Sequence, residues 1–249
     1  MKVVVCIKEV PDTEAYIKIG SDQKSMDENN VTFIMNPYDE FAVEEAIKLQ
    51  EEKGGETMAI CIGTERAAET LRSAIAMGIQ KAVLVKSDVK HMDSFSAASI
   101  FGQTLKEMEY DLIMMGKETI DDGSTEIGPM LAEMLDLPCV TLINKFKLGD
   151  GKVTVERETD SGTEVIEVPL PCVLTTQKGL NEPRYPSLRG KMMAKKAVIE
   201  EKEAPSATAK VKIISMEHPP VRGEGKLVGE GPEAAGELVR LLREEAKVI

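Results

Sequence analysis

The segment with the most chemistry per residue is Gly116–Gly128 (GKETIDDGSTEIG). It combines small residues, hydroxyls and carboxylates and leads into an apolar stretch beginning near Pro129. Backbone N–H groups at the entrance of a helix can receive a phosphate. Gly123 and Gly128 are spaced like the start of a P-loop, but Pro129-Met130 stands where Lys followed by Ser or Thr is required, which argues against a Walker-type ATPase. An acidic surface loop that merely caps a helix is the competing reading, about equally weighted on these residues. Asp121 and Asp122 are adjacent carboxylates, suited less to acid–base work than to capping or to holding a ribose hydroxyl. His91 and His218 both lie in polar or Pro-rich stretches beside no nucleophile, and no G-x-S-x-G occurs. No G-x-G-x-x-G follows the first apolar run, so the usual dinucleotide fingerprint is missing. A nucleotide-like loop with little acid–base machinery points to a carrier or binder more than to a hydrolase.

A second unusual segment is Arg184–Lys196 (RYPSLRGKMMAKK), with five basic residues (Arg184, Arg189, Lys191, Lys195, Lys196) and no acid. It lies in a chain of net charge −12, from 31 Lys plus Arg against 43 Asp plus Glu. Tyr185, Leu188, Met192 and Met193 are interleaved with these charges. Apolar side chains ringed by positive charge suit a transient docking site, where charge speeds encounter and the anchor gives specificity. The alternative is a solvated basic turn before a short helix whose methionines pack inward. The acidic balance otherwise speaks against nucleic acid, which needs basic residues over most of one face.

These loops must be held by a scaffold, and the first half of the chain alternates strand and helix signals. Lys2–Lys8 reads as a strand buried on both faces, with further strands at Met58–Ile62, Lys81–Val85 and Asp111–Met115. Asn36 and Pro37 form an N-cap and N1 pair for a helix ending at Gly54-Gly55. Thr64 is expected to cap a second helix ending at Gly78, and Asp93 a third running through Met108. This order predicts an α/β fold with a doubly wound, mostly parallel sheet, whose ligands bind at the carboxyl ends of the strands. Cys139–Lys147, Lys152–Glu158, Thr163–Val168 and Cys172–Thr176 read as an added antiparallel hairpin region. A strand-like stretch at Lys210–Met216, a Gly/Pro-rich segment and a last helix from about Glu233 form a C-terminal arm, which either packs on the body or serves as a partner-contacting arm. The expected organisation is 1–184 as the nucleotide-binding domain with its hairpin extension, 185–200 as a docking loop and short helix, and 201–249 as the arm. Without Trp and with 14 Met, the core must be aliphatic and thioether-rich. No apolar run approaches the roughly 18 residues of a membrane span. The four scattered cysteines suit buried thiols in a reducing cytoplasm, not a zinc site.

The ordered set Val155-Glu-Arg-Glu158, Asp160-Ser-Gly162, Glu164–Val168, Leu170-Pro171, and Leu180-Asn-Glu-Pro-Arg-Tyr185 through Ala194-Lys-Lys196 resembles the signature of the electron-transfer flavoprotein beta subunit. Val3–Lys8, Met35–Tyr38 with Ala42–Ala46, and Gly116-Lys117 with Ile120–Asp122 extend the resemblance over nearly the whole chain. It implies the smaller subunit of a heterodimer, paired with an alpha subunit that holds most of a redox FAD. Such a carrier moves electrons between acyl-CoA dehydrogenase-type flavoenzymes, as in fatty acid oxidation, and a downstream acceptor. The resemblance also implies a nucleotide in this subunit, held by Cys6, Asn36, Pro37, Tyr38, Asp39, Ile62, Gly116, Ile120, Asp121, Asp122, Gly123, Ser124, Thr125, Ile127 and Gly128. Leu188 would anchor the docking segment, with Tyr185, Arg189, Lys191, Met192, Met193, Lys195 and Lys196 around it, and Glu158 would face the alpha-subunit flavin domain. AMP is favoured because Asp122 keeps an acid typical of adenylate-binding members. Ile127-Gly-Pro129 and the Asn36–Phe41 run look like electron-bifurcating members, which hold a second FAD and use NADH. Read without the resemblance, the first 137 residues also suit a stand-alone nucleotide-binding sensor.

Overall fold

The computed structural model describes residues 1–87, 92–221 and 223–249. They form two compact units, Met1–Met216 and Glu217–Ile249. His91 lies outside the described residues.

In the first unit, Lys2–Ile7 forms β1, and the short strands β2 (Glu9–Pro11) and β3 (Phe33–Met35) pair into an antiparallel ribbon flanking a polar excursion. Helix α1 (Pro37–Lys53) leads to β4 (Glu56–Gly63), α2 (Ala67–Met77), β5 (Lys81–Lys86), α3 (Ser94–Leu105), β6 (Leu112–Gly116) and α4 (Ile127–Leu135). Then follow β7 (Cys139–Leu148), β8 (Lys152–Thr159), β9 (Gly162–Pro169), β10 (Cys172–Thr176), α5 (Leu188–Lys196) and the edge strand β11 (Glu200–Glu203). Among the described residues the main sheet has nine strands, ordered β11-β5-β4-β1-β6-β10-β7-β8-β9. It is parallel from β11 through β7 and antiparallel beyond.

The chain winds outward from β1 through β4 to β5, then crosses back to place β6 on the other side of β1. In open α/β sheets such a reversal marks the ligand crevice, which by that rule falls here at the carboxyl ends of β1 and β6. One face of the sheet packs against α1 and α2 through Val5, Ile7, Ala46, Leu71 and Met114. The other packs against α3 and α4 through Val4, Ile60, Leu105, Ile113 and Leu131. The inner strands are apolar on both sides because helices cover both faces.

The doubly wound core and the β7–β9 ribbon agree with the sequence expectation, and three local readings are corrected. Cys172–Thr176 is no outer hairpin strand; it inserts in parallel between β6 and β7, and its burial on every residue reflects that central place. Lys210–Met216 forms no strand, because β11 already occupies the sheet edge beside β5. β11 itself (EEKE) carries no hydrophobic signal; it is a charged edge strand of the kind that resists further pairing. Thr64 caps α2 only through its backbone carbonyl, which accepts from Ala67 N–H. Asp93 caps α3 through its side chain as expected, accepting from Ser96 N–H at 2.8 Å.

In the second unit, a turn at Pro232–Ala234 opens the amphipathic helix α6 (Ala235–Glu244), whose Leu241 is buried. His218 is exposed. No helix of the described residues is long and apolar enough to cross a membrane.

Gly116, the last residue of β6, tests how tightly the crevice is packed. A Cβ there would lie 2.5 Å from Asp39 Oδ1 and 2.7 Å from Tyr38 Cβ. Gly116→Ala is expected to lower unfolding free energy by about 1–3 kcal/mol, read from the urea midpoint at unchanged m-value.

Candidate functional site

The crevice is organised by the start of α1. Asn36 backbone N–H donates to the carbonyl of Lys8 at 2.9 Å, which seats the helix entrance on the end of β1. Pro37 supplies the first helical residue with no N–H to satisfy. Asp39, buried, then reaches both central strands: Oδ2 accepts from Lys8 N–H at 2.7 Å and Oδ1 from Gly116 N–H at 2.8 Å. One carboxylate therefore pins the ends of β1 and β6 together. Burial pushes its pKa up to about 7, against the Lys8, Asn36 and Gly116 donors that favour the charged form.

Asn36 is not a side-chain cap. Its amide turns away from the helix, donating to Glu118 O at 2.9 Å and accepting from Ile120 N–H at 3.2 Å. The Gly116–Gly128 segment is thereby held to the start of α1. Lys117 N–H adds a bond to Thr176 O, and the Thr176 hydroxyl donates to the carbonyls of Tyr38 and Met115. The Lys117 ammonium sits 4.8 Å from the Tyr38 ring centroid.

The acidic turn is tied to β1. Lys8 Nζ lies 2.8 Å from Asp121 and 3.1 Å from Asp122. Burial would lower the Lys8 pKa, but the two carboxylates raise it, so the ammonium stays charged. Asp122 also accepts from the Thr119 hydroxyl and from Ser124 N–H. Burial works to raise its pKa, but these donors and Lys8 bring it down to about 2. Ser94, at the start of α3, joins its hydroxyl to Ser124 and to Glu126 Oε1.

The donor set fits a phosphate-bearing ligand. Helix α4 begins with no side-chain cap, and its first-turn N–H groups at Ile127 and Gly128 have no partner within the helix. The Ser124 and Thr125 hydroxyls stand before them, and a Cβ on Gly123 would meet nothing within 4 Å. Side-chain cations contribute little, because Lys8 is already matched by two acids. Cys6 and Ile62 lie beneath the site in the core; the Cys6 side chain is buried, and burial raises its thiol pKa far above the ordinary range. Of the expected residues, the structure bonds Asn36 to Ile120 and Asp39 to Gly116, while Asp121 and Asp122 are tied to Lys8, and Tyr38 meets the segment only through the Thr176 hydroxyl and the Lys117 ammonium. Thr176 and Ser94 were not expected at the site, and an isolated Thr or Ser carries no signal that could have singled it out. Among the described residues no group of three or more His, Cys, Asp and Glu is placed to hold a metal.

The basic segment occupies another surface. Ser187 caps α5 by accepting from Gly190 N–H at 3.0 Å. Gly190 and buried Ala194 face α2, and Arg72 donates to Ala194 O and Ala197 O at 2.6 and 3.2 Å. Leu188, Met192 and Met193 are left 78%, 59% and 61% exposed, and Tyr185 is exposed too. Arg189, Lys191, Lys195 and Lys196 surround them in solvent. The methionines do not pack inward. Arg184 departs from the expected patch: its guanidinium turns inward in a fork to Glu44 and Glu51. Glu158, exposed on β8, accepts from Asn144 Nδ2 at 2.9 Å.

A family model described as electron transfer flavoprotein domain matches residues 24–207. The chain is 42% identical to the electron transfer flavoprotein subunit beta of Bacillus subtilis over the full length of both chains. It is 39% identical to that of Syntrophomonas wolfei, covering 100% of this chain and 98% of the relative. The Sus scrofa subunit beta is 35% identical, with coverage of 100% and 99%.

Asp39 gives a pH test. Its folded pKa lies above the unfolded value, so the fold holds the proton more tightly between about pH 4 and pH 7. Stability contributed by the neutral form is complete below pH 4 and declines until pH 7. In Asp39→Asn that decline is expected to disappear, and near pH 5 the variant should be about 1–3 kcal/mol less stable because an amide cannot accept from both N–H groups. Urea titrations of both proteins across pH 4–8 measure this.

Proposed function

Because the chain belongs to the family of electron transfer flavoprotein beta subunits, we propose that it is the small subunit of a heterodimeric electron carrier. It carries an adenine nucleotide, AMP, in its crevice and docks acyl-CoA dehydrogenase-type flavoenzymes through α5. The observation that carries this reading is the crevice itself: Asn36, Asp39 and Lys8 fix an acidic, hydroxyl-bearing loop in front of the uncapped start of α4. Such a loop suits a ligand whose phosphate meets backbone N–H groups and whose ribose hydroxyls meet carboxylates.

The alpha-subunit FAD supplies the electron-transfer chemistry when bound. This chain's residues bind, orient and dock. Glu158, on the exposed outer ribbon, is the residue proposed to face the flavin domain. On α5, Leu188 is the anchor, Met192 and Met193 extend the apolar face, and the exposed Arg189, Lys191, Lys195 and Lys196 steer encounter with an acidic partner surface. Four free thiols, three of them buried and Cys139 half-buried, support a reducing compartment such as the cytoplasm. A second reading, an electron-bifurcating subunit with FAD in place of AMP, draws on Ile127-Gly-Pro129 and Asn36–Phe41; Asp122, bonded to Lys8, Thr119 and Ser124, favours AMP.

Co-expression with the alpha subunit should yield a stable complex with a flavin absorption spectrum; a chain that stays alone and adds to no flavin complex would refute the assignment. In that complex, Leu188→Ala should slow electron transfer from a dehydrogenase roughly tenfold at limiting partner while flavin content stays unchanged. Equal rates at all dehydrogenase concentrations would remove Leu188 from the docking role. The wild-type rate should also fall as ionic strength rises past about 0.1 M.

A further inference from the structure

After β11 the chain leaves the sheet at the carboxyl end of β5, where Ala204 N–H donates to Lys86 O at 3.0 Å. It then runs along α3, whose Gln103 reaches Ser206 O. Lys210 N–H and Val211 N–H donate to a single oxygen, Oδ2 of Asp93, at 2.5 and 2.8 Å, and the Lys210 ammonium lies 5.1 Å from the Phe95 ring centroid. Met216 N–H next donates to Gln23 O at 2.7 Å, in the excursion between β2 and β3. That excursion is braced from the start of α2, since Arg66 pairs with Glu9 and Glu28. Residues 204–216 thus form a strap from the α3 side of the sheet to the β2–β3 excursion, across its carboxyl edge.

The first half of the strap borders an open pocket of about 610 Å³, to which it contributes Ala204, Pro205 and Ser206 and the body contributes Gly63, Thr64, Lys86 and Ser96. Gly63 and Lys86 end β4 and β5, and β4 is the neighbour of β1 in the sheet. Ser94, the residue after the strap's attachment at Asp93, bonds Ser124 of the candidate loop. The outer strap is held weakly: Val211 and Ile214 are 69% and 74% exposed, so a few backbone bonds hold it in place of a packed core. Asp93 divides its oxygens between two tasks. Oδ1 caps α3 through Ser96, and Oδ2 receives the strap.

We propose that residues 204–216 are a lid over the carboxyl-edge crevice and that Asp93 is its latch, released when the nucleotide enters or leaves. The proposal rests on the nucleotide reading above. A serine at position 93 still offers an oxygen to cap α3 but cannot also reach Lys210 and Val211, so Asp93→Ser separates latch from cap. Val211→Pro removes one strap donor and leaves Asp93 intact.

The full chain, in complex with the alpha subunit, would be loaded with radiolabelled AMP and chased with unlabelled AMP, while amide exchange is followed over 204–216. Both variants should release AMP roughly tenfold faster or more, as expected for losing hydrogen bonds to a charged acceptor, with faster exchange across the strap. Faster strap exchange with unchanged AMP release would overturn the lid. Unchanged strap exchange in Asp93→Ser would overturn the latch. A wild-type complex that retains no labelled AMP would overturn the nucleotide reading and the lid with it, an outcome distinct from the other two.

Discussion

The crevice depends on one buried carboxylate. Asp39 accepts from the N–H that ends β1 and the N–H that ends β6, the two strands whose order reverses at the centre of the sheet. Parallel strands end with backbone groups the ladder no longer serves, and burying them unpaired would cost about 1–3 kcal/mol each. A carboxylate on the third residue of the next helix satisfies both and sits where the helix dipole favours negative charge. Its placement requires α1 to start where it does, which Pro37 and the bond from Asn36 N–H to Lys8 O enforce. It also requires glycine at 116, because no side chain fits between the carboxylate and Tyr38.

Helix α1 carries this constraint to a second surface. Its amino end fixes the loop after β6. Further along, buried Glu45 accepts from Asn181, and Glu44 with Glu51 holds the Arg184 guanidinium. Buried carboxylates persist only when paired, and a forked arginine is well suited to the task. Arg184 is therefore a strut for the segment entering α5, and not a member of the basic patch that α5 displays. The residues that organise the crevice and those that position the exposed Leu188 face share one helix.

The elements that bury apolar residues with regular spacing were legible in the sequence. Val3–Ile7, Met58–Ile62 and Leu112–Met115 could only be covered strands, and Asp93 before Ser96 announced a helix start. Cys172–Thr176 was legible as a strand but not as a central one, because a short apolar run does not reveal its neighbours in a sheet. Glu200–Glu203 pairs through its backbone alone, so its side chains gave no sign of a strand, whereas Lys210–Met216 has strand-like residues and no edge left to join. At the site, residue types pointed to the loop after β6 and the family resemblance to Asn36 and Asp39, but neither to what they do. Asn36 at a helix start looks like a cap until its amide is seen to bond Glu118 and Ile120, contacts far away in sequence. The pairing of Lys8 with Asp121 and Asp122 is equally non-local.

The most direct measurement is the nucleotide content of the purified complex with the alpha subunit, released by denaturation and separated by chromatography. If Asn36, Asp39 and Lys8 organise a crevice for an adenylate, AMP should be recovered in a one-to-one ratio with this chain, beside a single FAD for the heterodimer. Recovery of FAD alone in that ratio, with no AMP, would contradict the account, and two FAD without AMP would transfer the crevice to a second flavin.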